Sequence, residues 1–145
     1  MQGRYDPQPI SSRTDRVKSM FERMAGASGR IVGYRISGVL TGEEAKAILI
    51  PELGRVATTY GYAHLLLHLD RLEGETPEAF IEELKNLPLI RKIRRIAVVG
   101  DSTAEALAAA ISDMLLSRID TRIRHFRTGE LQEAWDWLHE GGVTP

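Results

Sequence analysis

The sequence predicts an α/β fold, a sheet with helices packed against it. Ile96, Ala97, Val98 and Val99 form an unbroken apolar run, β-branched at three of its four positions, the pattern of a strand covered on both faces. Gly100 ends the run, and Asp101, Ser102 and Thr103 each bring a side-chain oxygen that can accept bonds from the free amides at a helix start. Leu107, Ala110, Ile111, Met114 and Leu115 follow at the spacing of one buried helix face. A strand that feeds straight into a covering helix is the building unit of layered α/β domains.

A chain of 145 residues is long enough for one such domain and too short for two. Residues 1–17 hold two prolines, polar side chains and little pattern, and are expected to form a flexible tail ahead of a domain over 18–142. The formal net charge of −1 provides no overall attraction to nucleic acid, and none is expected as a partner. The absence of cysteine excludes disulfides, thiolate metal sites and thiol nucleophiles. No apolar run approaches the roughly 18 residues of a membrane span, and the opening residues lack the apolar centre of a signal peptide. The expected location is the cytoplasm, with any membrane contact peripheral.

Local patterns supply the remaining elements. Residues 31–36, after the turn Gly26-Ala27-Ser28-Gly29, are rich in β-branched and aromatic side chains and read as a strand. Thr41-Gly42-Glu43-Glu44 is a capping box. The helix it opens is expected to turn Ala45, Ile48, Leu49, Leu53, Val56 and Tyr60 inward, to kink at Pro51, which has no amide hydrogen, and to stop at Gly61. Residues 63–69 form a strand with Leu65, Leu67 and Leu69 on one face and His64, Leu66 and His68 on the other. Thr76 and Pro77 open a helix carrying Phe80, Ile81, Leu84 and Leu87, and Pro88 stops it. Residues 121–126 make a last strand, placed at or near an edge because Arg122 and Arg124 share one side. A helix over 130–139 turns Leu131, Ala134, Trp135 and Leu138 inward and ends at Gly141-Gly142. Val17, Met20, Phe21 and Met24 fit one helical face, so periodicity alone predicts a short helix there.

Three stretches in this order, Gly-Tyr-Arg-Ile-Ser-Gly-Val-Leu-Thr at 33–41, Ile-Pro at 50–51 and Arg-Ile-Ala-Val-Val-Gly-Asp at 95–101, resemble the SpoIIAA-like family. His125-Phe126 and Glu-Ala-Trp-Asp-Trp-Leu at 133–138 extend the likeness over nearly everything after residue 18. The resemblance implies a STAS-like α/β fold with a mixed sheet of about five strands and about four covering helices, a fold also compared with lipid-binding CRAL-TRIO domains. It implies a strand rather than a helix near residue 20, paired in a hairpin across the following turn. It further implies a bacterial binding module for small apolar ligands, with membrane association and no enzymatic activity. The anti-sigma-factor antagonists that name the family carry a phosphorylatable serine where the helix after the third strand begins. Here that junction reads Asp70-Arg71-Leu72-Glu73-Gly74-Glu75-Thr76 and contains no serine, so the phosphoswitch is not carried over.

Gly100-Asp101-Ser102 and Asp136-Trp137-Leu138-His139 resemble the serine and histidine blocks of GDS-type esterases, but the oxyanion blocks that should lie between them are missing. A serine hydrolase therefore stands third among the readings. His64 and His68, four apart on a strand, lie roughly 13 Å from each other at ~3.3 Å per residue, too far for one ion, and no metal or cofactor is expected. The turn at 99–103 lacks the glycines of a phosphate loop, and Asp101 would repel an anion. The basic stretch is more informative. Ile90, Arg91, Lys92, Arg94 and Arg95 are the expected contacts with an anionic membrane, cations toward headgroups and aliphatic carbon toward the interface. Phe80, Leu84 and Leu87 are expected to meet a small apolar or lipid-like ligand beneath a movable cover over 76–93, hinged at Gly74. Trp137, two residues from the inward-facing Trp135, is left as an exposed anchor for a partner. The expected function is thus a non-catalytic binding module. The alternative is a protein-interaction module of an anti-sigma-antagonist-like regulatory system without the usual phosphoserine. The expected partners are a small apolar ligand, an anionic membrane surface, a protein partner or a second copy of the chain in a homodimer.

Overall fold

The computed structural model of the protein describes residues 20–38, 45–72, 91–114 and 120–143. Its centre is a five-stranded sheet in chain order, with β1 (Met20–Arg23), β2 (Ile31–Gly38), β3 (Ala63–Leu72), β4 (Ile93–Val99) and β5 (Arg122–Phe126) side by side. β1 runs antiparallel to β2, and every later pair is parallel. β3 and β4 lie in the middle, and residues 63–69 and 96–99 are buried on both faces, which explains the unbroken apolar run at 96–99 and leaves His64 and His68 as the two buried polar side chains of 63–69. The mixed α/β sheet and its five strands agree with the sequence reading. Three α-helices occur among the described residues: α1 (Ile50–Tyr60), α2 (Ser102–Met114) and α3 (Leu131–Val143). The fourth expected helix, over 76–87, and the tail over 1–17 lie outside the described residues.

The sheet has two unlike faces. On one, Val32, Tyr34, Ile36, Leu65, Leu67, Leu69, Ile96 and Val98 pack against Leu49, Leu53 and Val56 from the α1 side and Ala104, Leu107 and Ile111 of α2. Parallel strands added one beside the next send crossovers of one hand to a single face, which is where α1 and α2 both lie. The other face is built from Ile31, Leu66, Ala97, Val99 and Phe126, covered by Ala134, Trp135 and Leu138 of α3. β1 is tied to the first face by Glu52 of α1. The Tyr34 hydroxyl donates to one Glu52 oxygen, and Arg23 Nε lies 2.8 Å from the other. Burial, with the Glu52 carboxylate beside it, holds the Tyr34 hydroxyl well above its ordinary pKa.

Several local expectations are corrected. Residues 20–23 form a strand, as the family resemblance implied, because Phe21 pairs across the ladder with Ile36 and packs edge-on against Tyr34. The segment around Pro51 does not kink within one α-helix. A π-helical turn, Ala45–Leu49, precedes α1, and Pro51 falls in the first turn of α1, where a missing amide hydrogen leaves no bond unmade. Gly61 stops α1 with φ +89°, its amide donating to Ala57 O at 2.8 Å. Tyr60 is 43% exposed and Ala57 takes its inward place. α3 continues through Gly141 and Gly142 to Val143, since glycine permits a left-handed stop without compelling one.

The cap of α2 is Asp101, whose Oδ1 accepts from the Thr103 amide at 3.1 Å while its carbonyl accepts from Glu105 at 3.0 Å. Ser102, the first helical residue, is exposed. Asp101→Ala is therefore expected to cost about 1 kcal/mol in urea denaturation, and Ser102→Ala to stay within about 0.5 kcal/mol.

Candidate functional site

Two regions gather side chains that the core does not consume. The first lies on the face under α3. Register places Glu22, Arg35, His68, Val99 and Phe126 in one row across the five strands. At its polar end Arg35 and Glu22 are exposed, whereas His68 is 8% exposed and its Nδ1 has no hydrogen-bond partner among the described residues. Burial lowers the His68 pKa, the Arg35 charge lowers it further, and Asp70 opposes both, so the ring is held neutral over more of the acid range. Trp135 flanks this row. Its indole lies against Gly26 and Gly33, where an added Cβ would fall 2.6 and 2.5 Å from ring atoms. Between this ring and the β1–β2 hairpin lies a cavity of about 380 Å³ lined by Glu22, Met24, Gly26, Arg35 and Trp135, with Arg23 and Ala25 at its wall.

The second region is the end of the sheet where the parallel strands begin. Arg30, just before β2, donates to the Tyr62 hydroxyl, and its guanidinium lies 4.5 Å from the Tyr62 ring centre and 5.6 Å from that of Tyr60. The Arg94 guanidinium approaches the same Tyr62 ring at 4.7 Å. Tyr62 in turn meets the His64 ring edge-on at 5.3 Å. Arg91 and Lys92 are exposed in the turn leading into β4. Among the described residues no carboxylate pairs with Arg30, Arg91, Lys92 or Arg94. Four cations and two tyrosines therefore form one basic, aromatic end on a chain of net charge −1.

The structure divides the residues singled out from sequence. Arg91, Lys92 and Arg94 belong to this basic end. Arg95 turns to α3 instead, where its guanidinium donates to the Trp137 carbonyl at 2.7 Å, stacks 4.9 Å from the Trp137 ring and lies 3.7 Å from Glu140. Trp137 is not a free anchor, because Arg95 and Phe126, 5.9 Å away, hold its ring half-buried. Phe80, Leu84, Leu87 and Ile90 lie outside the described residues. Sequence reasoning missed Arg30, Tyr62 and the seat of Trp135. A glycine inside an otherwise bulky strand, as at Gly33, was the available signal for close approach by another group.

No base is hydrogen-bonded to Ser102 among the described residues. The His125 Nε2–H donates to the Gly100 carbonyl at 2.9 Å. No group of three or more metal-ligating side chains occurs among the described residues, and none of their helices is long and apolar enough to cross a membrane. A sequence model of the SpoIIAA-like family matches residues 31–139, a span holding β2 to β5 and most of α3. No curated protein matches the chain.

Proposed function

The chain belongs to the SpoIIAA-like family, and from that premise we propose that it is a non-catalytic binding module that rests on an anionic membrane surface and takes up a small apolar or lipid-like ligand. The observation that carries the membrane half is the basic, aromatic end of the sheet. Arg91, Lys92 and Arg94 provide cations without carboxylate partners among the described residues, and Arg30 adds a fourth. Each such cation near an anionic leaflet contributes about 1 kcal/mol, an attraction that fades within a Debye length of ~10 Å at 0.1 M salt. Tyr60, exposed beside them, has the amphipathic ring that suits headgroup depth. Ile90 would add aliphatic carbon, while Arg95 serves mainly to fasten α3. Phe80, Leu84 and Leu87 are the residues assigned to the apolar ligand. That no base is hydrogen-bonded to Ser102 among the described residues supports the non-catalytic reading.

The test is sedimentation with vesicles. The parent is expected to pellet with anionic vesicles at low salt, to release at high salt, and to ignore neutral vesicles. A variant carrying Arg91→Glu and Lys92→Glu is expected to lose most of that binding. Equal binding by both proteins would remove the basic pair from the proposal, and binding by neither would reject the membrane half. Mass spectrometry of co-purified lipid tests the ligand half separately.

A further inference from the structure

The cavity beside Trp135 is separate from the basic end, and nothing in the membrane reading uses it. We propose that it binds a small zwitterion of the α-amino-acid type, the ligand carboxylate on the Arg35 guanidinium, its ammonium on the Glu22 carboxylate and its apolar side group against Trp135 and Met24. Glu22 and Arg35 are direct partners in the antiparallel β1–β2 ladder, so their side chains leave the same face from Cβ atoms about 5 Å apart. Opposite charges so placed would ordinarily close on each other. Here both line the cavity, and among the described residues neither has an ion-pair or hydrogen-bond partner. Arg23 also borders the space, but its guanidinium is turned to Glu52 at 2.8 Å, which leaves Arg35 as the cation that faces a ligand.

This pairing selects by charge pattern. A simple anion attracted to Arg35 is repelled by Glu22, and a simple cation meets the reverse. A molecule with carboxylate and ammonium on one carbon satisfies both, and the guanidinium fork suits the carboxylate in a two-point contact. At about 380 Å³ the cavity lies near the lower end of the ~300–1,000 Å³ of small-molecule sites, which fits one amino-acid-sized ligand. Trp135 supplies a flat apolar wall and, by its position, a reporter.

The experiment titrates the protein with phenylalanine and leucine, and with N-acetylphenylalanine and phenethylamine as forms lacking one charge. Amide chemical shifts of the parent are followed across the millimolar range, with tryptophan emission of Trp137→Phe as a second readout that isolates Trp135. A saturable response to at least one amino acid is expected, centred on residues 22–26 and 35, with each truncated ligand weaker by about tenfold or more. Arg35→Gln should abolish the response, and Glu22→Gln should let N-acetylphenylalanine bind as well as phenylalanine. No saturable shift with either amino acid, or equal affinity for the truncated forms, would overturn the proposal. The vesicle result has no bearing on either outcome.

Discussion

Trp135→Ala is expected to lower stability by about 3 to 5 kcal/mol, read from the urea midpoint, on the scale of buried aromatic truncations. The ring is the wedge between α3 and the second face of the sheet, and it is buried against Gly26 and Gly33. A companion experiment separates this packing from a generic loss of apolar area. Gly→Ala at a position that accepts alanine stabilises by about 0.4 to 1 kcal/mol through the unfolded chain. At Gly33 the new Cβ would lie 2.5 Å from the indole, so Gly33→Ala is expected to destabilise by about 1 to 3 kcal/mol. In the Trp135→Ala background that penalty should vanish, giving a double-mutant coupling of about 1 kcal/mol or more. Additive losses would show that the ring and the glycine are not in mutual contact.

Gly100→Ala is the second large effect, about 2 to 5 kcal/mol from two sources that act together. Gly100 has φ +150°, a conformation side-chain-bearing residues rarely adopt, and an added Cβ would lie 2.9 Å from Ala104 Cβ and 3.0 Å from the Leu69 carbonyl oxygen. Neither neighbour can swing away, since one is the buried first turn of α2 and the other is backbone of a central strand. The Gly100 amide also donates to Phe126 O at 2.9 Å, so relief by moving the turn would break the link to β5. Thermal denaturation of the variant checks this, and a loss below about 0.5 kcal/mol, the range of an ordinary surface change, would contradict it.

The central strands were legible because burial on both faces leaves an apolar record, continuous at residues 96–99 and interrupted only by His64 and His68 over 63–69. β1 was not legible from periodicity. It is a four-residue edge strand with Glu22 and Arg23 exposed, and Val17, Met20, Phe21 and Met24 satisfy a helical spacing by accident over eight residues. The family resemblance decided what the pattern could not. The inward face of α3 was read correctly from 3.6-residue spacing, and that of α2 at Leu107 and Ile111, while Ala108 is buried where Ala110 was expected and Leu115 lies outside the described residues. The cap among Asp101, Ser102 and Thr103 was not legible because all three have suitable oxygens. The basic stretch was visible as charge, but not its division. β4 begins at Ile93, so Arg94 and Arg95 already follow strand geometry and turn to different neighbours, Tyr62 and α3. The partners of that charge, Arg30 and Tyr62, come from positions about 60 and 30 residues earlier in the chain, joined only by the parallel register.

The order in which the chain leaves the ribosome gives the two faces of the sheet different histories. The α1 and α2 face is completed piecemeal, each helix emerging between the strands it covers. The other face, with Ile31, Leu66, Ala97, Val99 and Phe126, is covered among the described residues by α3 alone, which follows all five strands. Until residues 131–138 emerge, none of the described residues in the nascent intermediate would cover that apolar surface or fill the glycine seat that awaits Trp135. Such an intermediate is a natural client for a chaperone and a point of entry for aggregation. Synthesis arrested within α3 would produce a chain whose strands are all present and whose solubility depends on what else binds that face.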